Sequence, residues 1–323
     1  MSNPSISVVL PTYNVEKYIS RCLDSCLSQS LSDFEIVIVD DCGCDKSIEI
    51  ASAYAKKDSR IRIIKNKKNM GTYHARRVGV ESSIGDYIVF LDPDDELAPL
   101  SLRLIYEEFL RSSAEILFFG VEYLPANKWY KRKPVIYPDL YGKTLLEAFF
   151  SKGNVSYACG TLGKAYSRIF LLQLYSKLNI NEDFRFVYAE DMYLFLASVL
   201  ERPKFSNLYH VVYLYYQNYE SITKMIDEKS IRNNIFQYEF FLNSIINRVS
   251  LEELNSSQAK IMKMLINGFK SDNYLMYRDL GGAKEYFLSV FKALIVQPSL
   301  RTTIRMLVFL GRVKLEVRHK PPN

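Results

Sequence analysis

A doubly wound α/β sheet followed by a helical C-terminal region is the fold that this 323-residue sequence predicts. Three observations carry that expectation. Short apolar runs alternate with helically spaced apolar positions through the N-terminal third. Three of the first four runs end in polar, turn-forming clusters. From about Asp227 onward the apolar spacing is helical to the end. Strand and helix in strict alternation is the pattern of a sheet wound on both faces. Ligands of such sheets bind outside the carboxyl ends of the strands. The three polar clusters therefore fall on one rim.

The elements follow in order. Ile6 to Leu10 is a buried-strand run, broken by Pro11-Thr12-Tyr13-Asn14. Ile19, Cys22, Leu23, Cys26 and Leu27 then recur at helical spacing. Phe34 to Val39 is a second strand and ends in Asp40-Asp41-Cys42-Gly43. Asp45-Lys46-Ser47 opens a helix carrying Ile48, Ala51 and Tyr54. Ile61 to Ile64 is a third strand, and Asn69-Met70-Gly71-Thr72 is a turn. His74 to Ser83 is helical, with Ala75, Val78 and Gly79 facing the sheet and His74 expected on the solvent side. Tyr87 to Leu91 is the fourth strand, and it runs straight into Asp92-Pro93-Asp94-Asp95.

Three carboxylates directly after a buried strand repel one another, and the cost is relieved by a cation or by protonation. Mg²⁺-type sites take one or two carboxylates plus substrate phosphates. A metal–diphosphate site is one reading of the cluster. The other is a helix cap, with Asp94 or Asp95 as N-cap and Pro99 in the first turn. The chain has no G-x-G-x-x-G after its first strand, which disfavours a dinucleotide fold, and no G-x-x-x-x-G-K-[ST], which excludes a P-loop. Phosphates would then be held by metal and side chains, and Arg76 and Arg77 after the Gly71 turn are candidates.

Composition narrows the classes further. Hydrophobic content is 48% and charged content 24%, ordinary for a globular protein. Aromatic content is 14%, with 24 tyrosines, and Tyr-lined clefts suit sugars because the ring covers C–H surface while the hydroxyl bonds. A net charge of +6 fits anionic small ligands or an anionic membrane and is too weak to argue for nucleic acid. The N-terminus lacks a basic region followed by an apolar stretch, so no signal peptide is expected, and no apolar run approaches bilayer length. Five cysteines, an odd number, fit a reduced cytoplasmic setting. The spacing of Cys22, Cys26, Cys42 and Cys44 matches no usual zinc pattern.

These residues resemble a known family. Val8-Val9-Leu10-Pro11-Thr12-Tyr13-Asn14, Val39-Asp40-Asp41, Asn69-x-Gly71 with Ala75-Arg76, and Leu91-Asp92-Pro93-Asp94-Asp95 look like the inverting family 2 glycosyltransferases. Their fold is GT-A, a Rossmann-like mixed sheet flanked by helices. The wording of the N-terminal third is similar to that of bacterial lipooligosaccharide β-1,3-galactosyltransferases. The resemblance implies residues 1–225 as the GT-A domain, with 1–115 binding nucleotide and 116–225 facing the acceptor. Residues 226–323 would form the helical region.

The resemblance also implies roles. Pro11, Thr12 and Tyr13 would line the uracil and ribose pocket. Asp41 would accept from the uracil N3–H, with Asp40 beside it, and Arg76 would help hold the nucleotide. Asp92 would contact ribose and flank the metal, and Asp94 would ligate Mn²⁺ or Mg²⁺ across the diphosphate. Asp95 is assigned to the cap of the following helix. Lys164 lies in Gly160 to Tyr166, where relatives shape the donor-sugar and acceptor pocket. Asp191, beside Glu190, would be the base, although two acidic residues also suit an ordinary helix start. Ser221 and Thr223 would contact the diphosphate from a closing loop.

Ile116 to Gly120 is a further strand, and Tyr123 to Leu140 is a Pro- and Lys-rich excursion. Arg301, Arg305, Arg312, Lys314, Arg318 and Lys320 interleave with apolar residues against one acid, Glu316. That reads either as a basic amphipathic helix on an anionic membrane or as a helix packed on the core. The resulting expectation is a UDP-sugar-dependent, metal-requiring enzyme at the inner face of the cytoplasmic membrane. It would move galactose to a GalNAc-type terminus of a glycan or glycolipid through a β-1,3 link. Glucosyl or N-acetylhexosaminyl transfer, and a non-catalytic nucleotide-sugar-binding protein, remain as alternatives.

Overall fold

The computed structural model describes residues 4–125, 145–150, 160–217, 227–249, 254–277 and 283–296. The expectations placed on the Tyr123 to Leu140 excursion beyond residue 125, on Ser221 and Thr223, and on the basic segment 301–320 lie outside them. The chain divides into two compact units, residues 1–148 with 159–220, and residues 149–158 with 221–323.

The first unit is built on one mixed sheet. Its strands in chain order are β1 (Ile6–Thr12), β2 (Phe34–Asp40), β3 (Ile61–Lys65), β4 (Tyr87–Phe90), β5 (Glu96–Leu97), β6 (Ile116–Leu124), β7 (Lys164–Ser167) and β8 (Phe205–Tyr216). Their order across the sheet is β3-β2-β1-β4-β7-β6-β8-β5. β1 to β4 are parallel, and β7 runs antiparallel to both β4 and β6. Every residue of β2 is buried, and so is β1 apart from half-buried Pro11. That is why both read as continuous apolar runs and not as alternating ones.

The helices of this unit are α1 (Ile19–Leu27), α2 (Ser47–Ala55), α3 (Thr72–Ser82), α4 (Ser101–Ser112), α6 (Arg168–Leu178) and α7 (Glu190–Leu200), and α5 (Leu145–Phe150) spans the division after Ala148. α3 lies hard against the sheet. A Cβ on Gly79 would stand 2.3 Å from Val9 Cγ1, so glycine is what permits the approach. In the second unit α8 (Glu228–Arg248) and α9 (Ser256–Tyr277) pack through Tyr238, Phe241 and Phe269, and α10 (Ala283–Val296) packs on α9. Asp227 caps α8 by accepting from the Ser230 N–H at 3.0 Å.

Three expectations are corrected here. Pro11 does not end β1; it continues the parallel register opposite Val39, and Thr12 lies opposite Asp40. Asp95 does not cap a helix, nor does Asp94, because α4 begins only at Ser101, after Leu100 in a left-handed conformation with no side-chain cap. Pro99 therefore precedes that helix. His74 is fully buried and not on the solvent side, because the segment before α7 crosses it and its Nε2 lies 3.1 Å from the Phe184 carbonyl.

Candidate active site

The sheet order reverses direction about β1, which neighbours both β2 and β4. The carboxyl ends of these strands form the crevice in which a doubly wound sheet binds ligands. Thr12 is buried there, with its Oγ1 donating to the Leu10 carbonyl at 3.1 Å, whereas Tyr13 is 37% exposed at the mouth. Asp40 accepts the Cys42 N–H on Oδ1 at 2.9 Å.

Asp41 is a latch. Its Oδ1 accepts from Asn66 Nδ2 (2.8 Å) and the Met70 N–H (2.9 Å), and its Oδ2 accepts from the Gly71 N–H (2.9 Å). A carboxylate has about four acceptor positions, so one lone pair remains on Oδ2. The latched turn starts α3. Gly71 sits at φ 85°, and a Cβ there would meet Val187 Cγ1 at 2.7 Å and the Phe186 carbonyl at 2.9 Å. The segment leading to α7 is fastened over this turn. Tyr73 N–H donates to Phe186 O (3.2 Å), Arg185 Nε to Asn69 Oδ1 (2.7 Å), and Lys68 pairs with Asp183 (2.6 Å). Arg77 pairs with Glu182 and Glu81, which places it in surface ion pairs.

After β4 the chain folds into a tight turn, with Asp95 N–H donating to Asp92 O at 2.9 Å. Tyr213 of β8 reaches into it. Its hydroxyl accepts from the Asp92 N–H (3.1 Å) and donates to Asp95 Oδ2 (2.7 Å), while the Tyr216 N–H donates to Asp95 Oδ1 (2.7 Å). Asp95 is thus the buried clamp of the turn and not a helix cap. Burial, then the Asp92 and Asp94 charges, push its carboxyl up to about 8. Arg21 Nη2 donates to the Asp94 carbonyl (2.5 Å), its Nε pairs with Glu96 (2.7 Å), and its guanidinium lies 3.6 Å over the Tyr216 ring.

Asp92 and Asp94 themselves stay partly exposed. Among the described residues no three His, Cys, Asp or Glu side chains are grouped to hold a metal ion. One or two accessible carboxylates on a clamped turn fit a hard divalent ion that completes its shell on phosphate oxygens, and do not fit a protein-only cage. The cysteines at 22, 26, 42 and 44 are free thiols, with Cys22 and Cys26 buried on α1.

Arg76 joins this turn to α7. It is 4% exposed; Nη2 bonds Asp92 Oδ1 and Nη1 bonds Glu190 Oε1, both at 2.9 Å. Arg76, expected to help hold a nucleotide, bonds the protein's own carboxylates through both terminal nitrogens, and its Nε–H has no partner. Glu190 and Asp191 occupy the first turn of α7, behind Ala189 at φ 63°. Burial, then Asp191, pushes Glu190 up to about 8, with Arg76 opposing. Asp191 is also raised, by burial first, and Arg76 is again the main opposing charge. Asp191 keeps partial exposure, and its Oδ1 accepts the Met192 N–H at 2.7 Å.

Lys164 opens β7, whose antiparallel course brings it to this rim. It has no exposed surface, and its ammonium donates to the carbonyls of Gly160 (2.5 Å) and Leu162 (3.3 Å). Lys164, expected in the segment that shapes the donor-sugar and acceptor pocket, holds that turn through these two bonds. A Cβ on Gly160 would lie 3.0 Å from Asp191 Oδ2, so the turn packs directly on Asp191. Asn66, Tyr213 and Arg21 were not legible as site residues. Tyr213 meets Asp92 across 121 residues, and no local pattern marks such a pair.

Comparison with known proteins is consistent with this geometry. The family described as Glycosyl transferase family 2 matches residues 7–170. A Bacillus subtilis (strain 168) protein named "Uncharacterized glycosyltransferase EpsJ" is 32% identical over 226 residues, 69% of this chain and 64% of that protein. The "Cholesterol galactosyltransferase" of Borreliella burgdorferi is 27% identical over 231 residues, 68% of this chain and 62% of that protein. The chain spans less than two thirds of either relative. Among solved structures, S. aureus TarS 1-349 in complex with UDP-GlcNAc superposes with TM-score 0.58 at 17% identity, covering 95% of this chain and 92% of that one. The mannosyltransferase PcManGT of Pyrobaculum calidifontis, in complex with GDP-Man and Mn²⁺, gives 0.57 at 15% identity, covering 98% and 81%. At such identities the likeness establishes the fold, which is GT-A. No helix among the described residues is long and apolar enough to cross a membrane.

Proposed function

Because the chain belongs to glycosyl transferase family 2, we propose that it is an inverting, UDP-sugar-dependent glycosyltransferase of surface-glycan synthesis. The observation that carries this reading is a single guanidinium. Arg76 bonds both Asp92 on the turn after β4 and Glu190 beside Asp191. A leaving-group site and a candidate base are thereby held at one rim.

Inversion is a single displacement. Asp191 takes the proton of an acceptor hydroxyl as that oxygen attacks the anomeric carbon, and the bond from that carbon to the diphosphate breaks with its electron pair going to UDP. Thr12, Tyr13 and Asp40 line the base and ribose side, and the free lone pair of Asp41 Oδ2 remains to accept the uracil N3–H. Asp94, with Asp92, would hold Mn²⁺ or Mg²⁺, which when bound stabilises the charge developing on the diphosphate. Ser221 and Thr223 remain proposed diphosphate contacts.

The donor is proposed as UDP-galactose and the acceptor as a GalNAc-type terminus of lipooligosaccharide, linked β-1,3. The wording of the N-terminal motifs and the galactosyltransferase name of one relative support this choice. The basic amphipathic segment 301–320 supports a peripheral place on an anionic membrane.

The test is a screen of UDP-sugars for UDP release against terminal GalNAc, Gal and GlcNAc acceptors. UDP-galactose with GalNAc is expected to lead, and another donor leading would overturn the galactosyl assignment. Asp191→Ala is expected to keep UDP binding and lose transfer, and Asp94→Ala to lose metal-dependent donor binding. Transfer by Asp191→Ala at the wild-type rate would remove Asp191 as the base. UDP binding with no turnover on any acceptor would favour a non-catalytic binding protein.

A further inference from the structure

We propose that Arg76 is a positioning residue: it sets Asp191 at a fixed offset from the Asp92–Asp94 turn and does not itself contact the nucleotide. The inference rests on the glycosyl transfer reading and adds to it how base and leaving group are kept in register.

Four observations support the assignment. The first is reach. Arg76 is 4% exposed, and its two terminal nitrogens bond two carboxylates, Asp92 Oδ1 and Glu190 Oε1, each at 2.9 Å. Its Nε–H has no hydrogen-bond partner, so it is the burial of the guanidinium, with both terminal nitrogens turned to carboxylates, that keeps a nucleotide phosphate from it.

The second is connectivity. Asp92 follows β4 and Glu190 begins α7, so the guanidinium spans two elements separated by about a hundred residues in sequence. A planar fork with bonds on both terminal nitrogens fixes direction as well as distance, which a lysine ammonium does not.

The third is the anchor beneath it. Arg76 sits in the second turn of α3. That helix is seated on β1 through Gly79, and its start is latched by Asp41 through the Met70 and Gly71 N–H groups. The fork therefore projects from backbone that cannot easily shift.

The fourth is strain at the far end. Ala189, immediately before Glu190, is held at φ 63°, a left-handed conformation that a residue with a Cβ adopts only when its surroundings impose it. The Glu190–Arg76 bond is one restraint at that point, and the Gly160 turn packed on Asp191 Oδ2 is another. Arg76 is also the main charge opposing the upward push of burial on both Glu190 and Asp191, so removing it disturbs the base in the same direction as misplacing it.

The experiment compares Arg76→Gln, Arg76→Lys, Glu190→Gln and the Arg76→Gln/Glu190→Gln pair in the full chain. The measurements are kcat, KM for the donor and calorimetric affinity for UDP. A misplacement of about 1 Å costs on the order of a hundredfold in rate, so Arg76→Gln is expected to lower kcat by that order. UDP affinity should change by no more than about threefold. Arg76→Lys restores the charge without the fork and is expected to remain well below wild-type kcat. Glu190→Gln is close to isosteric and keeps Arg76, so it reports even if Arg76→Gln fails to fold; it too is expected to lose kcat with UDP affinity kept. In the Glu190→Gln background the further cost of Arg76→Gln should be far smaller than in the wild type.

Loss that falls mainly on UDP affinity, wild-type kcat in Arg76→Lys, or fully additive costs in the pair would each overturn the assignment. If the wild type transfers sugar and the variants behave in one of those ways, only the role of Arg76 fails. If the wild type transfers no sugar from any UDP-sugar, the glycosyl transfer reading fails and this inference falls with it.

Discussion

Replacing Tyr213 with phenylalanine removes one oxygen and nothing else. That oxygen is buried and makes two bonds, accepting from the Asp92 N–H at 3.1 Å and donating to Asp95 Oδ2 at 2.7 Å. Burial and the Asp95 and Asp92 charges hold the hydroxyl protonated, so it is a donor at every working pH. Phenylalanine keeps the shape, so no cavity opens and the cost is one of hydrogen bonding. Each buried group left without a partner costs about 1–3 kcal/mol. The Asp92 N–H is partly buried and falls at the low end; Asp95, 1% exposed, falls at the high end. The sum is roughly 4 kcal/mol, which shifts Tm by about 8–16 °C in a unit of this size. Function should suffer further, because the same oxygen sets the turn that carries Asp92 and Asp94. Scanning calorimetry of Tyr213→Phe checks the first expectation, and titration with UDP in the presence of Mn²⁺ checks the second. A Tm within about 1 °C of wild type, with UDP affinity unchanged, would refute the reasoning that this hydroxyl clamps the turn.

Three other outcomes are expected. Gly71→Ala places a methyl 2.7 Å from Val187 Cγ1 at φ 85° and should cost about 3 kcal/mol, measured by denaturant unfolding, with kcat falling because the segment before α7 is displaced; a neutral result would mean the turn yields freely. As the proposed base, Asp191 would act only when ionised, and burial raises its proton affinity, so the acid limb of kcat/KM should lie above the ordinary aspartate value of about 3.9 and activity should fall as pH drops through it; a limb at or below that value would contradict the assignment. A chain ending near Pro298 should lose flotation with anionic liposomes, and unchanged flotation would leave the tail without a membrane role.

The fold was legible because its evidence is local. Continuous apolar runs mark strands buried on both faces, and β1, β2, β3 and β4 appear where those runs lie. The polar clusters after β1, β2 and β4 gather on one rim because parallel strands point the same way, which topology dictates once the alternation is read. The α7 start at Glu190 was visible as two acids ahead of an apolar helical stretch.

What each side chain does at that rim was not legible. Four aspartates look alike in sequence, yet Asp41 latches the Gly71 turn, Asp95 is clamped by β8, and Asp92 and Asp94 remain accessible. Arg76 and Lys164 read as ligand-facing cations and proved buried, bonded to the protein itself. Sequence by itself determined that β1 to β4 form and run parallel, and hence where the acidic turns collect, whereas β5, β7 and β8 and the antiparallel course of β7 came only with the tertiary structure. Only the tertiary structure decided which carboxylate is buried in a clamp and which keeps exposed surface. A hydrogen bond between residues 121 positions apart leaves no trace in local composition, and a charge's role depends on the partner that the fold brings to it.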